Sequence, residues 1–303
     1  MNYRVTHTTE YAYGTPVTLC HNLVHLSPRD CAQQICRSNQ ILIEPAPAVS
    51  GKRLDYFGNR ITYFTVQEPH HKLTVRAVSE IDVTPLAVPD AADTPAWELV
   101  RDQIGADRSP AVLDAFQFAF DSNYIRRSAE LADYAGPSFT PGRTLLGALL
   151  DLTERIYTDF KYDAQATTIG TPIHQVLEDR RGVCQDFAHL QIGCLRSLGL
   201  AARYVSGYLF THTDPDKPRL RGADASHAWL SVFSPTCGWI DVDPTNNVIP
   251  SHEHLTVAWG RDYDDVSPIK GVILGGGAHS VTVSVDVVPV NRRGGDDRDE
   301  TPA

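Results

Sequence analysis

The spacing of apolar residues changes twice along this chain, and those changes limit what it can fold into. From residue 3 to about 85 the spacing is two. Tyr3, Val5, His7, Thr9 and Tyr11 alternate with Arg4, Thr6, Thr8 and Glu10, and Leu73, Val75, Ala77, Ser79, Ile81 and Val83 alternate with mostly polar partners. Successive side chains of a strand point to opposite faces, so this pattern predicts half-buried β-strands. The stretch LDYFGNRITYF predicts a hairpin in which Gly58-Asn59 supplies the positive φ of a two-residue turn. The run VTPLAVPDAADTPAW at 83–97 is rich in Pro, Ala and Asp and reads as a linker.

Beyond it the spacing becomes helical. Ser109-Pro110, Thr140-Pro141 and Thr171-Pro172 each place a capping residue before a proline, the order that starts helices. Leu145, Leu149, Leu152, Ile156 and Phe160 recur at three or four residues and form a core-facing stripe. A helix is predicted from about Val183 to Leu198, with Gly199 as its C′ residue. AARYVSGYLF, HAWLSVF and GWIDVD then read as strands, as does SVTVSVDVVPV near the end. A helical block followed by strands marks an α+β core with an antiparallel sheet, preceded by an all-β, sandwich-like module. The boundaries read from the sequence are 1–88 for the β-rich module, 89–139 for the linker and a helical segment, 140–290 for the core, and 291–303 for a charged, disordered tail.

Lys and Arg total 27 against 37 Asp and Glu, a formal net charge of −10. That balance argues against nucleic acid or an anionic membrane as a partner. No apolar run approaches the ~20 residues of a membrane helix, and MNYRVTHTTEYAYG lacks the apolar core of an export signal. The expectation is a soluble, cytoplasmic protein whose six cysteines are reduced thiols. Cys20, His21, His25, Cys31 and Cys36 lack the Cys-x-x-Cys spacing of a zinc knuckle. His252 and His254, with the aspartates at 262–265, read as solvated turns, so no metal or cofactor is expected.

Three stretches carry chemistry when taken together. Cys184 opens a helix in RRGVCQDFAHL, His227 begins the strand HAWLSVF, and Asp243 closes GWIDVDP. The last two strands form a hairpin, so His227 and Asp243 can face one another, with directly opposite Cβ atoms ~4.5–5.5 Å apart. A thiol is mostly protonated at neutral pH, and both a helix N-terminus and a neighbouring imidazolium favour its anion. Asp243 would orient and stabilise that imidazolium. The Cys184 N–H is the natural first oxyanion donor, with Gln185 or Tyr162 as candidates for a second. Trp229, two residues from His227, is a candidate for the substrate cleft. Cys194 reads as packing, His189 as a structural histidine on another helix face, and Asp186 as helix-start electrostatics. Asp243 is preferred over Asp241 as the histidine's partner.

The stretches GVCQDFAHL, GLAARYVSGY, SHAWLSVF and GWIDVDPTNN together resemble the transglutaminase-like superfamily of papain-type thiol enzymes. The likeness is greatest to the bacterial two-domain branch with a β-rich N-terminal region, and DYFGN and GRDYDDVSPIKG extend it over most of the chain. The resemblance implies a papain-like core, a Cys184-His227-Asp243 triad, a thioester acyl-enzyme and a peptide or protein substrate. It implies cysteine-peptidase or amidase action first. Transfer of the acyl group to an amine is the alternative, and a catalytically silent binding module a further one. Neither the acceptor nor the oligomeric state can be read from the residues.

Overall fold

A computed structural model describes residues 1–211 and 226–290. The segment 291–303, expected to be a charged tail, lies outside the described residues. Five strands come first: β1 (Asn2–Ser27), β2 (Gln34–Glu44), β3 (Val49–Leu54), β4 (Arg60–Val66) and β5 (His70–Val83). Helices α1 (Trp97–Ala106), α2 (Pro110–Phe116), α3 (Ala129–Ala135) and α4 (Leu145–Asp159) follow. Strand β6 (Lys161–Tyr162), helix α5 (Ile173–Asp179) and strand β7 (Arg181–Gly182) lead into helix α6 (Cys184–Ser197). Then come β8 (Ala202–Leu209), β9 (His227–Ser234), β10 (Gly238–Val242), β11 (His254–Gly260), helix α7 (Tyr263–Val266), β12 (Ile269–Gly275) and β13 (His279–Pro289).

The 26-residue β1 organises the N-terminal module. Its first half lies between β5 and β13, its second between β4 and β12, all antiparallel. A register shift between Ala12 and Val17 separates the halves. The sheet curls there, so Val24, Phe64 and Val66 share one core with Leu73, Val75 and Ala77. The sandwich-like module read from the alternation is present, but β12 and β13, placed in the 140–290 core from sequence, complete its sheet instead. Alternation marks a strand without naming its neighbour, and the neighbour here is some 270 positions away.

Two turn readings need correction. The β3–β4 connection runs over 55–59, and only Gly58 within it has a positive φ, at 74°. Asn59 is fully buried, because its side chain is occupied elsewhere. Helix α4 begins at Leu145 after the cap residue Thr144, four positions later than Thr140-Pro141 suggests, since Gly142 turns the chain at φ 76°. The Leu145-Leu149-Leu152-Ile156-Phe160 stripe is buried as expected, and Gly199 follows the last turn of α6 at φ 84°.

The core sheet has the order β10-β9-β8-β11 and is antiparallel throughout. Apolar residues of α4, α6, β8 and β9 form one continuous buried cluster. Two side-chain amides tie β11 to the N-terminal module. Gln34 Nε2 donates to the Thr256 carbonyl (2.8 Å) while Gln34 Oε1 accepts from the Thr256 N–H (2.9 Å). Asn59 does the same for Trp259, at 2.8 and 3.0 Å. Each amide supplies one donor and one acceptor and so substitutes for a neighbouring strand.

Helix α6 is fixed at its C-terminal end by Arg196, which is 1% exposed. The guanidinium donates to the carbonyls of Phe118, Ala202 and Arg261 and to the Ser122 hydroxyl. Removing it leaves three backbone acceptors without a donor in a buried place. Arg196→Met is expected to lower the unfolding free energy by at least about 3 kcal/mol, since each of the three abandoned acceptors costs ~1–3. Urea denaturation followed by far-UV circular dichroism measures the difference.

Candidate active site

Helix α6 begins at Cys184 because Gly182 and Asp186 let it. Asp186, three residues into the turn, accepts the Val183 N–H (2.8 Å) and the Thr167 hydroxyl (2.6 Å) at Oδ2. That carboxylate closes the open end of the helix, as an acidic residue in the first turn does. Burial pushes its pKa up, against those two hydrogen bonds. A Cβ on residue 182 would lie 2.7 Å from the same oxygen, so glycine is required in Gly-Val-Cys. The half-buried Cys184 therefore sits where the first N–H groups of the helix have no intrahelical partner.

His227 opens β9 and pairs with Gly207 on β8. Its Nε2 lies 2.9 Å from Asp243 Oδ2, with both side chains fully buried. The last β9–β10 pair is Leu230 with Val242, so His227 lies two positions past the residue opposite Asp243, and the contact is diagonal rather than direct. His227 Nδ1 is buried and has no partner at ordinary hydrogen-bond geometry, and the Cys184 sulfur acts electrostatically on the ring. Burial alone would lower the histidine's pKa. The charge and hydrogen bond of Asp243 outweigh it, Cys184 adds to them, and the pKa is raised to about 10.

Asp243 is an acceptor for five groups. Oδ2 receives His227, His254 (3.1 Å) and Asn246 Nδ2 (2.8 Å), and Oδ1 receives the N–H groups of Thr245 (2.9 Å) and Asn246 (3.3 Å). Those donors, with the positive His227, hold the carboxyl well below the usual carboxylate range despite complete burial. The Asp-Pro-Thr-Asn sequence thus has a mechanical reason: it folds the chain back so that its own amides reach the aspartate.

His254 is the residue that sequence reasoning misplaced. It was expected in a solvated turn, but it begins β11 and is 2% exposed, and Asp243 lies between the two imidazoles. The alternation of His254, Thr256 and Ala258 with apolar neighbours was the available signal, and charged residues on either side obscured it. The three side chains offer ligand atoms within 4.8 Å of one another, the spacing of a metal site. A cation there would have to break both N–H···O bonds, since the nitrogens facing Oδ2 carry the protons.

The remaining expectations divide. Trp229 does not line a cleft: it is fully buried, stacks on His227 with centroids 6.1 Å apart, and meets His254 edge-on at 5.2 Å. Strand alternation puts it on the same face as His227, and Gly207 leaves room for its ring, where a Cβ would collide. Its indole N–H goes to Asp241 (3.2 Å), which also accepts the Ser231 hydroxyl, so Asp241 supports the tryptophan and Asp243 takes the histidine. Gln185 donates to the Ile169 carbonyl (3.1 Å), so its amide is already engaged. Tyr162 pairs through its backbone with Gly182, beside the start of α6. His189 is a buried acceptor for the Tyr263 N–H, its pKa pushed down to about 3, first by burial and then by Arg196. Cys194 is fully buried, with its thiol pushed up to about 12.

Comparison with known proteins follows the same division of the chain. The bacterial transglutaminase-like N-terminal region matches residues 3–82, and the transglutaminase-like superfamily core matches residues 134–244. An uncharacterised protein of Mycobacterium tuberculosis is 44% identical over 298 residues, covering 95% of this chain and 92% of the relative. A protein-glutamine gamma-glutamyltransferase of Pseudomonas aeruginosa is 32% identical over 128 residues, 41% of this chain and 19% of its own. Among solved structures, a candidate cysteine protease from Cytophaga hutchinsonii has the same fold, with a TM-score of 0.77 at 21% identity over 96% of this chain and 91% of that one. With family models matched over both its N-terminal module and its core, the chain belongs to the transglutaminase-like superfamily.

Proposed function

We propose that this protein is a thiol acyl-transfer enzyme that cleaves peptide or isopeptide amides through Cys184, His227 and Asp243. The observation that carries the reading is the buried 2.9 Å His227–Asp243 pair, which leaves the other ring nitrogen without a partner and lies within electrostatic reach of the cysteine at a helix N-terminus. The sulfur attacks the amide carbon, and the carbonyl oxygen takes the charge beside the Cys184 N–H. His227 Nδ1 gives its proton to the leaving amine as the C–N bond breaks, which leaves a thioester. Water then attacks the thioester, Nδ1 takes its proton, and the carboxylic product and free thiol are restored. Asp243 never gives up its charge; it holds the ring in place.

The half-buried sulfur favours water as the acceptor, because a thioester reserved for an amine needs a site that excludes water. The named activity of the Pseudomonas aeruginosa relative, which aligns over 41% of this chain, supports transfer to an amine as the second reading. The six free cysteines support a reducing, cytoplasmic location.

Incubation with a blocked glutamine peptide tests both readings. Hydrolysis releases ammonia without any added amine, whereas transfer requires the amine and incorporates it into the peptide. Cys184→Ala is expected to lower either rate by at least about a thousandfold, and an unchanged rate would remove the enzyme reading altogether.

His254 is a positioning residue in this scheme. His254→Phe removes a charge-assisted bond worth ~1.5–3 kcal/mol, so kcat is expected to fall about ten- to a hundredfold with KM little changed. Iodoacetamide labelling with peptide mapping provides a second readout: Cys184 alkylation should slow in step with kcat, while the buried Cys194 stays unlabelled in both proteins.

The His227 charge also predicts a pH dependence of stability. Its folded pKa of about 10 lies above the free value of ~6.5. The stabilisation it brings is therefore complete below pH ~6.5 and is lost as the pH rises through about 10, at up to ~1.4 kcal/mol per pH unit. Unfolding free energies of wild type and His227→Asn, compared at pH 6, 8 and 10, should converge with rising pH. A constant gap would mean that His227 is neutral in the folded protein.

A further inference from the structure

A cavity of about 490 Å³ lies between the core sheet and the N-terminal module, lined on one side by Arg203, Trp239 and Asp241 and on the other by Arg29 and Cys31. Arg203 stands on β8 in a cross-strand row with Ser231 and Asp241. Its Cζ is 4.0 Å from the ring centroid of Trp239 and 3.7 Å from that of Trp259. Arg29 Cζ lies 3.1 Å from the same Trp259 centroid. Two guanidinium groups cannot share one face of a ring at those distances, so the four side chains stack as Trp239, Arg203, Trp259, Arg29.

Arg203 is 8% exposed and makes no hydrogen bond or ion pair among the described residues, and its Nε is buried without a partner. The nearby Asp241 offsets part of its charge but accepts no hydrogen bond from it. Asp241 is taken by the Ser231 hydroxyl, the Trp229 indole (3.2 Å) and Gln33 Nε2 (3.4 Å). Arg29 gives Nη1 to the Phe57 carbonyl and Asn59 Oδ1, but its Nε too is buried and unpartnered. Burial lowers the two arginines to about 9 and about 10, so both remain cations at neutral pH. A buried cation stacked on aromatic faces keeps only its edge for hydrogen bonding, and that edge is a planar fork suited to two oxygens. A charge left in this condition is costly unless something pairs with it.

We propose that this cavity is a binding site for a small molecule bearing one carboxylate or phosphate, whose oxygens accept from the free edge of Arg203 while Arg29 supplies the second positive charge. Asp114 and Asp241 also line the cavity, which restricts the ligand to a single compact anionic group and disfavours a polyanion. The site is separate from the Cys184 chemistry, although it backs onto it, since Asp241 carries the indole that stacks on His227.

Titration of the full chain with sodium phosphate and with sodium acetate, against sodium chloride at matched ionic strength, tests the proposal. Two of the four tryptophans flank Arg203, so the expected result is a saturable change in tryptophan fluorescence with at least one of the two anions. The iodoacetamide reaction of Cys31 in wild type should slow in parallel, by about tenfold at ten times the dissociation constant. Response to acetate alone identifies a carboxylate site, and response to phosphate alone a phosphate site. Arg203→Met, whose side chain fills the space between the tryptophans, should abolish the fluorescence change. If neither anion exceeds chloride in wild type, or if a folded Arg203→Met protein responds as wild type does, the site does not exist. Should that variant fail to fold, Cys31 protection in wild type decides alone.

Discussion

A carboxylate without access to water stays ionised only if the protein replaces its hydration, and much of this structure is arranged around doing so for Asp243. Two imidazoles, one side-chain amide and two backbone N–H groups converge on its two oxygens. Each constrains a different piece of chain: His227 the start of β9, His254 the start of β11, and Thr245 and Asn246 the turn after β10. The sheet edge where these segments meet can therefore close in one way. A conformation that displaced any of them would leave an uncompensated charge in a dry place, which costs several kcal/mol. The fixed ring of His227 follows from this arrangement.

The sulfur is placed by a separate device. Asp186 ties Thr167 and Val183 to the head of α6, and the missing side chain at Gly182 permits that close approach. Arg196 anchors the other end of the helix to β8 and to the segment before α7. The N-terminal module reaches the site from the opposite side. Its Gln34 and Asn59 amides pair with the backbone of β11, the strand that begins with His254. Asn59 is in turn held by Asp55, which accepts the N–H groups of Phe57 and Asn59 and the Asn59 amide. The sequence Asp-Tyr-Phe-Gly-Asn is thus less a hairpin turn than a clip that keeps a core strand in register.

The sequence revealed most where a local rule had few competitors. Cys184 is followed by a helical pattern that ends at a glycine, and His227 and Asp243 lie on strands joined by a short turn, so their meeting needed only a hairpin. The buried leucine stripe of α4 was legible for the same reason. What was missed depended on distant partners. The alternation in 279–289 announced a strand but could not say that β1 was its neighbour. His254 looked like part of a polar loop because its justification, the second lone pair of a buried carboxylate, lies eleven residues away across the sheet. Trp229 looked like a cleft residue because its spacing from His227 fixes the face and not the depth.

The aspartates in and just after β10 show how depth decides chemistry. Asp241 and Asp243 are two residues apart and point to the same side of the strand, so a residue scale cannot tell them apart. Asp241 faces Ser231, which stands opposite it on β9, and it draws neutral donors from Ser231, Trp229 and Gln33. Asp243 lies past the last paired position, where strand β9 has just begun and two histidines come within reach. With the oxygens of Asp241 taken by neutral donors, Arg203 is left without a hydrogen-bonded partner on its own sheet, and His227 is not. Two cations on neighbouring strands of one sheet thus have opposite circumstances: one is hydrogen-bonded inside the protein, and the other keeps a free edge beside the cavity.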